Sequence, residues 1–210
     1  MTQDFIIYKS ILAVVIFAIT LVVAMYSTYA ERKVAAFLQD RVGPDRAGPF
    51  GILQPLADGV KMFMKEELIP SVSNKTLFII GPGISMLTAC MTGTVIPWGP
   101  DLTIAGKTFS LQLTDLNIGI LYLFGVISLG VYGIMIGGWA SNNKYSLYGA
   151  IRSCAQFISY EIPLGLSLLG VIAVAGSLNI ERIVEAQGDG IANWNVWWQP
   201  LAALLFFTAA

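Results

Sequence analysis

A single carboxylate, Glu161, is the only charged residue between Arg152 and Glu181. On a helix it lies nine residues beyond Arg152, about 13.5 Å along the axis. That is close to the middle of a hydrocarbon core about 30 Å thick. Its own helical face carries Phe157, Ile158, Leu164, Gly165, Leu168 and Ile172, with no cation. Arg152 falls on the opposite side of the same helix, so it is no partner within the span. An ionisable side chain at that depth costs about 2.5–3.5 kcal/mol on insertion scales. Pro163, two residues on, removes a helical hydrogen bond and can leave carbonyls free for water. The chemistry these residues fit is proton handling. The competing account is a protonated carboxyl bonded to a neighbouring helix for packing alone.

A second group of polar residues is concentrated in 31–75, which holds 13 of the chain's 25 charges in 45 residues. Gly43-Pro44 and Gly48-Pro49 mark turns there. After them, Leu53, Leu56, Val60, Phe63 and Met64 fall on one helical face, while Asp58, Lys61 and Lys65 share another. Pro55 suits the first turn of such a helix. The pattern predicts an amphipathic helix on the membrane surface or against a partner. A plain anchor needs neither an acid among its lysines nor Gly59 in mid-helix, so the polar face is expected to meet something specific.

Composition narrows the remaining possibilities. The chain of 210 residues is 56% hydrophobic and only 12% charged, with a net charge of −1. Soluble domains average about 25% charged residues, and a near-neutral chain has no electrostatic footprint for nucleic acid. Histidine is absent, which removes the commonest metal ligand and acid–base catalyst. Cys90 and Cys154 are far apart, and their spacing fits neither a zinc site nor a disulfide framework.

The elements that must position these residues follow from the gaps between charges. Uncharged runs of 21, 25 and 28 residues separate Lys9 from Glu31, Lys75 from Asp101 and Asp115 from Lys144. A crossing helix needs about 20 apolar residues, and only helices or closed barrels satisfy their backbone in lipid. No run has the two-residue alternation of a barrel strand. The expected fold is an all-α integral membrane protein, a single transmembrane domain over 1–210. It comprises four complete spans at 10–30, 77–98, 117–139 and 150–176, the start of a fifth at 194–210, and the amphipathic helix in a cytoplasmic loop, 31–75. The first uncharged run exceeds a signal-peptide core and is expected to stay as an anchor. Trp98, Trp139, Trp194, Trp197 and Trp198 fall near span ends, where amphipathic rings prefer the headgroup region.

Lysine and arginine set the orientation. Nine lie in the first and third loops, against Lys9, Lys107 and Arg182 on the other side, which places those loops in the cytoplasm and the amino terminus outside. Gly133 and Gly137 give small-residue spacing for close helix packing in the third span, and Gly81-Pro82-Gly83 is expected to kink the second or delay its start. The sequence stops within an apolar run with no polar flank, as expected of a fragment of a longer product.

Glu31-Arg32-Lys33, the run Arg41-Val42-Gly43-Pro44-Asp45-Arg46-Ala47-Gly48-Pro49 continuing through Gln54-Pro55-Leu56-Ala57-Asp58-Gly59-Val60-Lys61, and then Lys65-Glu66 resemble a known signature loop. It belongs to the quinone-site membrane subunit of proton-pumping NADH:quinone oxidoreductase, respiratory complex I. Gly138-Trp139-Ala140-Ser141-Asn142-Asn143-Lys144-Tyr145, through Arg152 to Ser159-Tyr160-Glu161, is similar to the family's second stretch. The resemblance is collinear over essentially the whole chain.

It implies a bacterial inner-membrane subunit at the junction of the membrane arm and the peripheral redox arm, with other complex I subunits, quinone and lipid as partners. Quinone is the implied substrate. FMN and the iron–sulfur clusters are implied to lie on partner subunits, since two distant cysteines cannot supply four thiolates, so this chain is not catalytic alone. Glu31, Arg32, Arg41, Asp58, Lys61 and Glu66 are the candidates for the charged wall or mouth of the quinone path. Glu161, with Arg152 near the cytoplasmic edge, is the candidate for proton transfer. The family's later acidic Asn-Arg-x-Pro-Phe-Asp loop has no counterpart in these residues. The rivals are the membrane component of an energy-converting hydrogenase and an ion or proton secondary transporter. The transporter would usually show paired, repeat-related helix interruptions, and the sequence has no internal repeat.

Overall fold

The computed structural model describes residues 2–104, 107–188 and 190–210. Its main elements are α1 (Thr2–Leu38), α2 (Gln54–Met64), α3 (Lys75–Thr92), β1 (Leu102–Ile104), β2 (Lys107–Phe109), α4 (Gly119–Ala140), α5 (Lys144–Ala175), α6 (Ile180–Ala186), α7 (Asn195–Trp198) and α8 (Pro200–Ala209). The chain forms two compact units, Met1–Leu68 and Ile69–Ala210. Among the described residues, α1, α3, α4 and α5 are long and apolar enough to cross a membrane.

In the first unit α1 is 37 residues long, about 55 Å at 1.5 Å per residue. It does not end where the charges begin. The helix runs through Glu31-Arg32-Lys33, so the first eight residues of the expected loop are helical. Nothing before Asp40, in the left-handed region at φ 49°, breaks a stretch rich in helix formers. The chain then reverses through Gly43 to Gly51. A Cβ on Gly51, at φ 78°, would lie 2.1 Å from the Pro44 carbonyl oxygen, so this turn requires glycine. The amphipathic helix forms as α2, with Pro55 buried at its start and Lys65 just beyond its end. Gly59 lies on the α1 side, where an added Cβ would meet Met25 Sδ at 3.9 Å. Val60, Phe63 and Met64 are exposed, leaving an apolar stripe of the kind that lies in an interface.

In the second unit, α4 packs against both α3 and α5, and α8 packs against α5. α3 runs without interruption through Pro82, so its start is not delayed, and it ends at Thr92, six residues short of the expected Trp98. An antiparallel hairpin, β1–β2, follows, with Leu102 opposite Phe109 and Thr103 opposite Thr108. α5 begins at Lys144, six residues before the expected 150. Asn143 caps it, its Oδ1 accepting from the Tyr145 N–H at 3.0 Å, and Gly176 closes it at φ 62°. The expected fifth span, 194–210, is not continuous. Pro200 drives Gln199 out of helical geometry, to φ −134° and ψ 61°, and separates α7 from α8.

Candidate functional site

Two polar groupings stand out, one in each unit. In the first, Arg32 on α1 meets Asp58 on α2 at 2.5 Å between Nη1 and Oδ2. Gln54, one turn before Asp58, donates from Nε2 to Oδ1 at 3.1 Å, which occupies the second carboxylate oxygen. Tyr29, one turn before Arg32, donates its hydroxyl to the Phe50 carbonyl at 2.7 Å and ties the turn to α1. These side chains line a crevice with Thr28, Pro44 and Pro55 that is closed here, with no room for a water molecule. The hydrogen bonds from Gln54 and Arg32 hold the Asp58 carboxyl below its ordinary range, and the charges of Arg32 and Lys61 act in the same direction. Both partners keep substantial exposure, 54% and 35%, and exposed pairs of this kind contribute little to stability.

Of the six residues expected around a quinone path, the structure joins Arg32 to Asp58 and places Lys61 near enough to act on that carboxylate. Glu31, Arg41, Lys61 and Glu66 are exposed, and Arg41 Nε donates instead to Gln39 Oε1 at 2.8 Å. Gln54 is the participant that charge patterning missed. Its position four residues before Asp58 on a helix was the available signal.

In the second unit, α4 and α5 run antiparallel and touch at successive levels. Gly138 lies against Ala150, where an added Cβ would fall 2.3 Å from the alanine methyl. Cys154 Sγ lies 3.7 Å from the Val131 carbonyl oxygen. Phe124 packs beside Gly165. Between these levels, the Ser128 hydroxyl of α4 donates to Glu161 Oε1 of α5. Ser128 Oγ is also 2.9 Å from the Phe124 carbonyl oxygen. Glu161 is partly buried, and among the described residues no cation reaches it. Arg152 is exposed on the same helix, and the structure does not bring it to Glu161. Ser128 was the missed partner. It is one polar residue inside the uncharged run before Lys144, and only the register of α4 against α5 distinguishes it from its neighbours.

The turn between α4 and α5 has a structural task. Asn142, at φ 50°, donates from Nδ2 to the Val72 carbonyl at 3.2 Å, and the Asn74 N–H bonds the Ala140 carbonyl at 3.1 Å. The Trp139–Lys144 motif therefore holds the entry to α3. Beyond α5, Asn179 caps α6 and donates to Asp115 Oδ1 at 2.7 Å. Burial pushes the nearby Glu181 carboxyl up, reinforced by the charges of Asp115, Glu185 and Asp101.

Four apolar crossing-length helices, with a carboxyl held on a serine between two of them, define a multi-pass helical membrane protein. Residues 11–210 match the family model described as NADH dehydrogenase, and the chain belongs to that family. It is 59% identical over 207 residues to H subunit 1 of the NADH-quinone oxidoreductase of Cytophaga hutchinsonii, covering 99% of this chain and 60% of that protein. It is 58% identical over 206 residues to the NADH-quinone oxidoreductase H subunit of Flavobacterium johnsoniae, covering 98% and 58%. The corresponding H subunit of Flavobacterium psychrophilum is 56% identical over 210 residues, covering 100% and 61%. The chain thus spans about three fifths of the length of these curated relatives.

Proposed function

We propose that this chain is part of the H-type membrane subunit of an NADH-quinone oxidoreductase, contributing one wall of the quinone path and a carboxyl that handles protons coupled to quinone reduction. The observation that carries this reading is the identity to H subunits of such oxidoreductases over nearly every residue of the chain. The same names favour it over a hydrogenase-type complex or a secondary transporter. In this reading the protein is a bacterial inner-membrane subunit with its amino terminus in the periplasm. It adjoins other subunits of the membrane arm and of the peripheral redox arm.

The division of labour follows from the residues. Quinone reduction consumes two electrons and two protons. Cys90 and Cys154 alone cannot furnish the four thiolates of an iron–sulfur cluster, and in this reading the electrons come from cofactors on partner subunits. Asp58 and Arg32, with Gln54 bonded to the same carboxylate, present a fixed charge pair at the α1–α2 crevice, with Lys61 close by. Glu31, Arg41 and Glu66 add exposed charge on the same unit, at the mouth of the path. Glu161 takes and releases a proton within the helical pair, and Arg152 supplies positive charge toward the cytoplasmic end of α5.

The test is the assembled oxidoreductase carrying Asp58→Asn or Glu161→Gln, assayed for NADH:quinone turnover and for NADH oxidation by ferricyanide. Loss of quinone turnover with ferricyanide activity retained supports the assignment. Wild-type quinone turnover in both variants contradicts it.

A further inference from the structure

We propose that Ser128 is the positioning residue that lets Glu161 exist in both of its protonation states without a change in helix packing, an inference that rests on the proton-handling reading of Glu161. The Ser128 hydroxyl carries one proton and faces two acceptors, Glu161 Oε1 across the helix pair and the Phe124 carbonyl on its own helix. A hydroxyl has one donor and two acceptor lone pairs, and the two contacts have different requirements. When Glu161 is ionised, Ser128 donates to the carboxylate. When Glu161 is protonated, its O–H donates to Ser128 Oγ, and the serine proton turns to the Phe124 carbonyl. Each state keeps the carboxyl hydrogen-bonded, and the only movement is rotation about the serine C–O bond. The proton added to Glu161 comes from water and returns to water, and no bond on Ser128 breaks.

The surroundings make this hydroxyl matter. The titratable side chains on the packed helices, besides Lys144 and Arg152, are Lys75 and Cys90 of α3, Tyr122 and Tyr132 of α4, and Tyr145, Tyr148, Cys154 and Tyr160 of α5. Among the described residues none of them is hydrogen-bonded to Glu161. The cations Lys144 and Arg152 lie toward the start of α5, and α4 carries no charge. The adjacent levels cannot easily adjust. Phe124 packs beside Gly165, and Gly138 is pressed against Ala150, so the distance between Ser128 and Glu161 is set by the packing of both helices. Alanine at 128 removes the one donor to the carboxylate found among the described residues, and threonine retains a hydroxyl there.

The experiment compares Ser128→Ala, Ser128→Thr and Ser128→Cys with Glu161→Gln in the assembled oxidoreductase, reconstituted in vesicles. Infrared difference spectra during turnover are read alongside kcat, KM for quinone and proton uptake. The carboxyl C=O band is assigned by its loss in Glu161→Gln. The expected result is a shift of that band to higher frequency in Ser128→Ala, its return in Ser128→Thr and an intermediate position in Ser128→Cys. In Ser128→Ala, kcat and proton uptake fall together on the order of tenfold, the equivalent of one charge-assisted hydrogen bond, with KM unchanged. The cysteine variant keeps the test decisive if alanine prevents assembly. An unmoved band with wild-type kcat in Ser128→Ala, while Glu161→Gln is inactive, overturns the role of Ser128 alone. Wild-type turnover in Glu161→Gln, or no carboxyl band that it abolishes, overturns the reading of Glu161 and this inference with it.

Discussion

Gly81 and Gly133 face each other across α3 and α4. A Cβ on Gly81 would lie 2.9 Å from the Gly133 carbonyl oxygen, and one on Gly133 would lie 2.7 Å from the Gly81 carbonyl oxygen. The small-residue spacing of Gly133 and Gly137 therefore serves close approach of two helices, and Gly81 completes it from the other side. At Gly81 every near atom is backbone of Gly133 or Gly137, which cannot swing aside as a flexible side chain can, whereas at Gly133 the Ser85 hydroxyl is also in the way.

Gly81→Val is accordingly expected to force α3 from α4 and to cost about 1–3 kcal/mol, the usual range for overpacking. Thermal unfolding of the detergent-solubilised protein, with the yield of assembled complex, checks this. An unchanged melting temperature would show that the helices slide apart freely.

At the α1–α2 crevice, Asp58→Asn keeps the size of the side chain and removes its charge. Quinone turnover is expected to fall several-fold while ferricyanide reduction and assembly persist. Loss of the assembled complex would make the Arg32–Asp58 pair structural. The folded-state titration of Asp58 is depressed below its ordinary 3.8. Its contribution is therefore present above that value and is lost as pH falls through the lower folded value. Because the pair is exposed, the effect on melting is small and confined to acid.

Glu181 has the opposite sign. Its carboxyl is raised above the ordinary 4.5, so folding favours the neutral acid, and stability declines as pH rises from that ordinary value through the folded one. Glu181→Gln is expected to raise the melting temperature at neutral pH. The difference from wild type should vanish below about pH 4, where the acid is neutral in both states. A variant less stable than wild type at neutral pH would mean that the carboxylate has a favourable partner.

Orientation is tested by single-cysteine labelling from each side of intact membranes. Cysteines at Lys61 and Lys65 are expected to react from the cytoplasm, and one at Arg182 from the periplasm, following the distribution of positive charge. Periplasmic labelling at position 61 would invert the topology.

How far the sequence could be read depended on which force fixed each feature. Long apolar runs located α1, α3, α4 and α5 because the absence of charge is a strong local signal. The ends of those helices were set by caps and turns. α1 continued to Leu38 because nothing before Asp40 stops a helix, and α5 began at Lys144 because Asn143 caps it. Pro200 carried the break between α7 and α8 in plain view, but hydropathy averaged over it. The β1–β2 hairpin is too short to leave a two-residue pattern. Asp58 and Glu161 were visible as acids in telling places. Their partners, Gln54 and Ser128, carry no charge, and Ser128 becomes significant only through the antiparallel register of α4 and α5.

Proton handling by Glu161 is tested most directly by proton uptake into vesicles containing the assembled Glu161→Gln complex. Glutamine retains the size and a hydrogen bond to Ser128 but cannot take up or release a proton. With a pH-sensitive dye, NADH-driven proton uptake and quinone turnover are expected to fall severely in Glu161→Gln, with partial retention of both in Glu161→Asp. Wild-type turnover with wild-type uptake in the assembled Glu161→Gln complex would contradict this role and reduce the carboxyl to a packing contact.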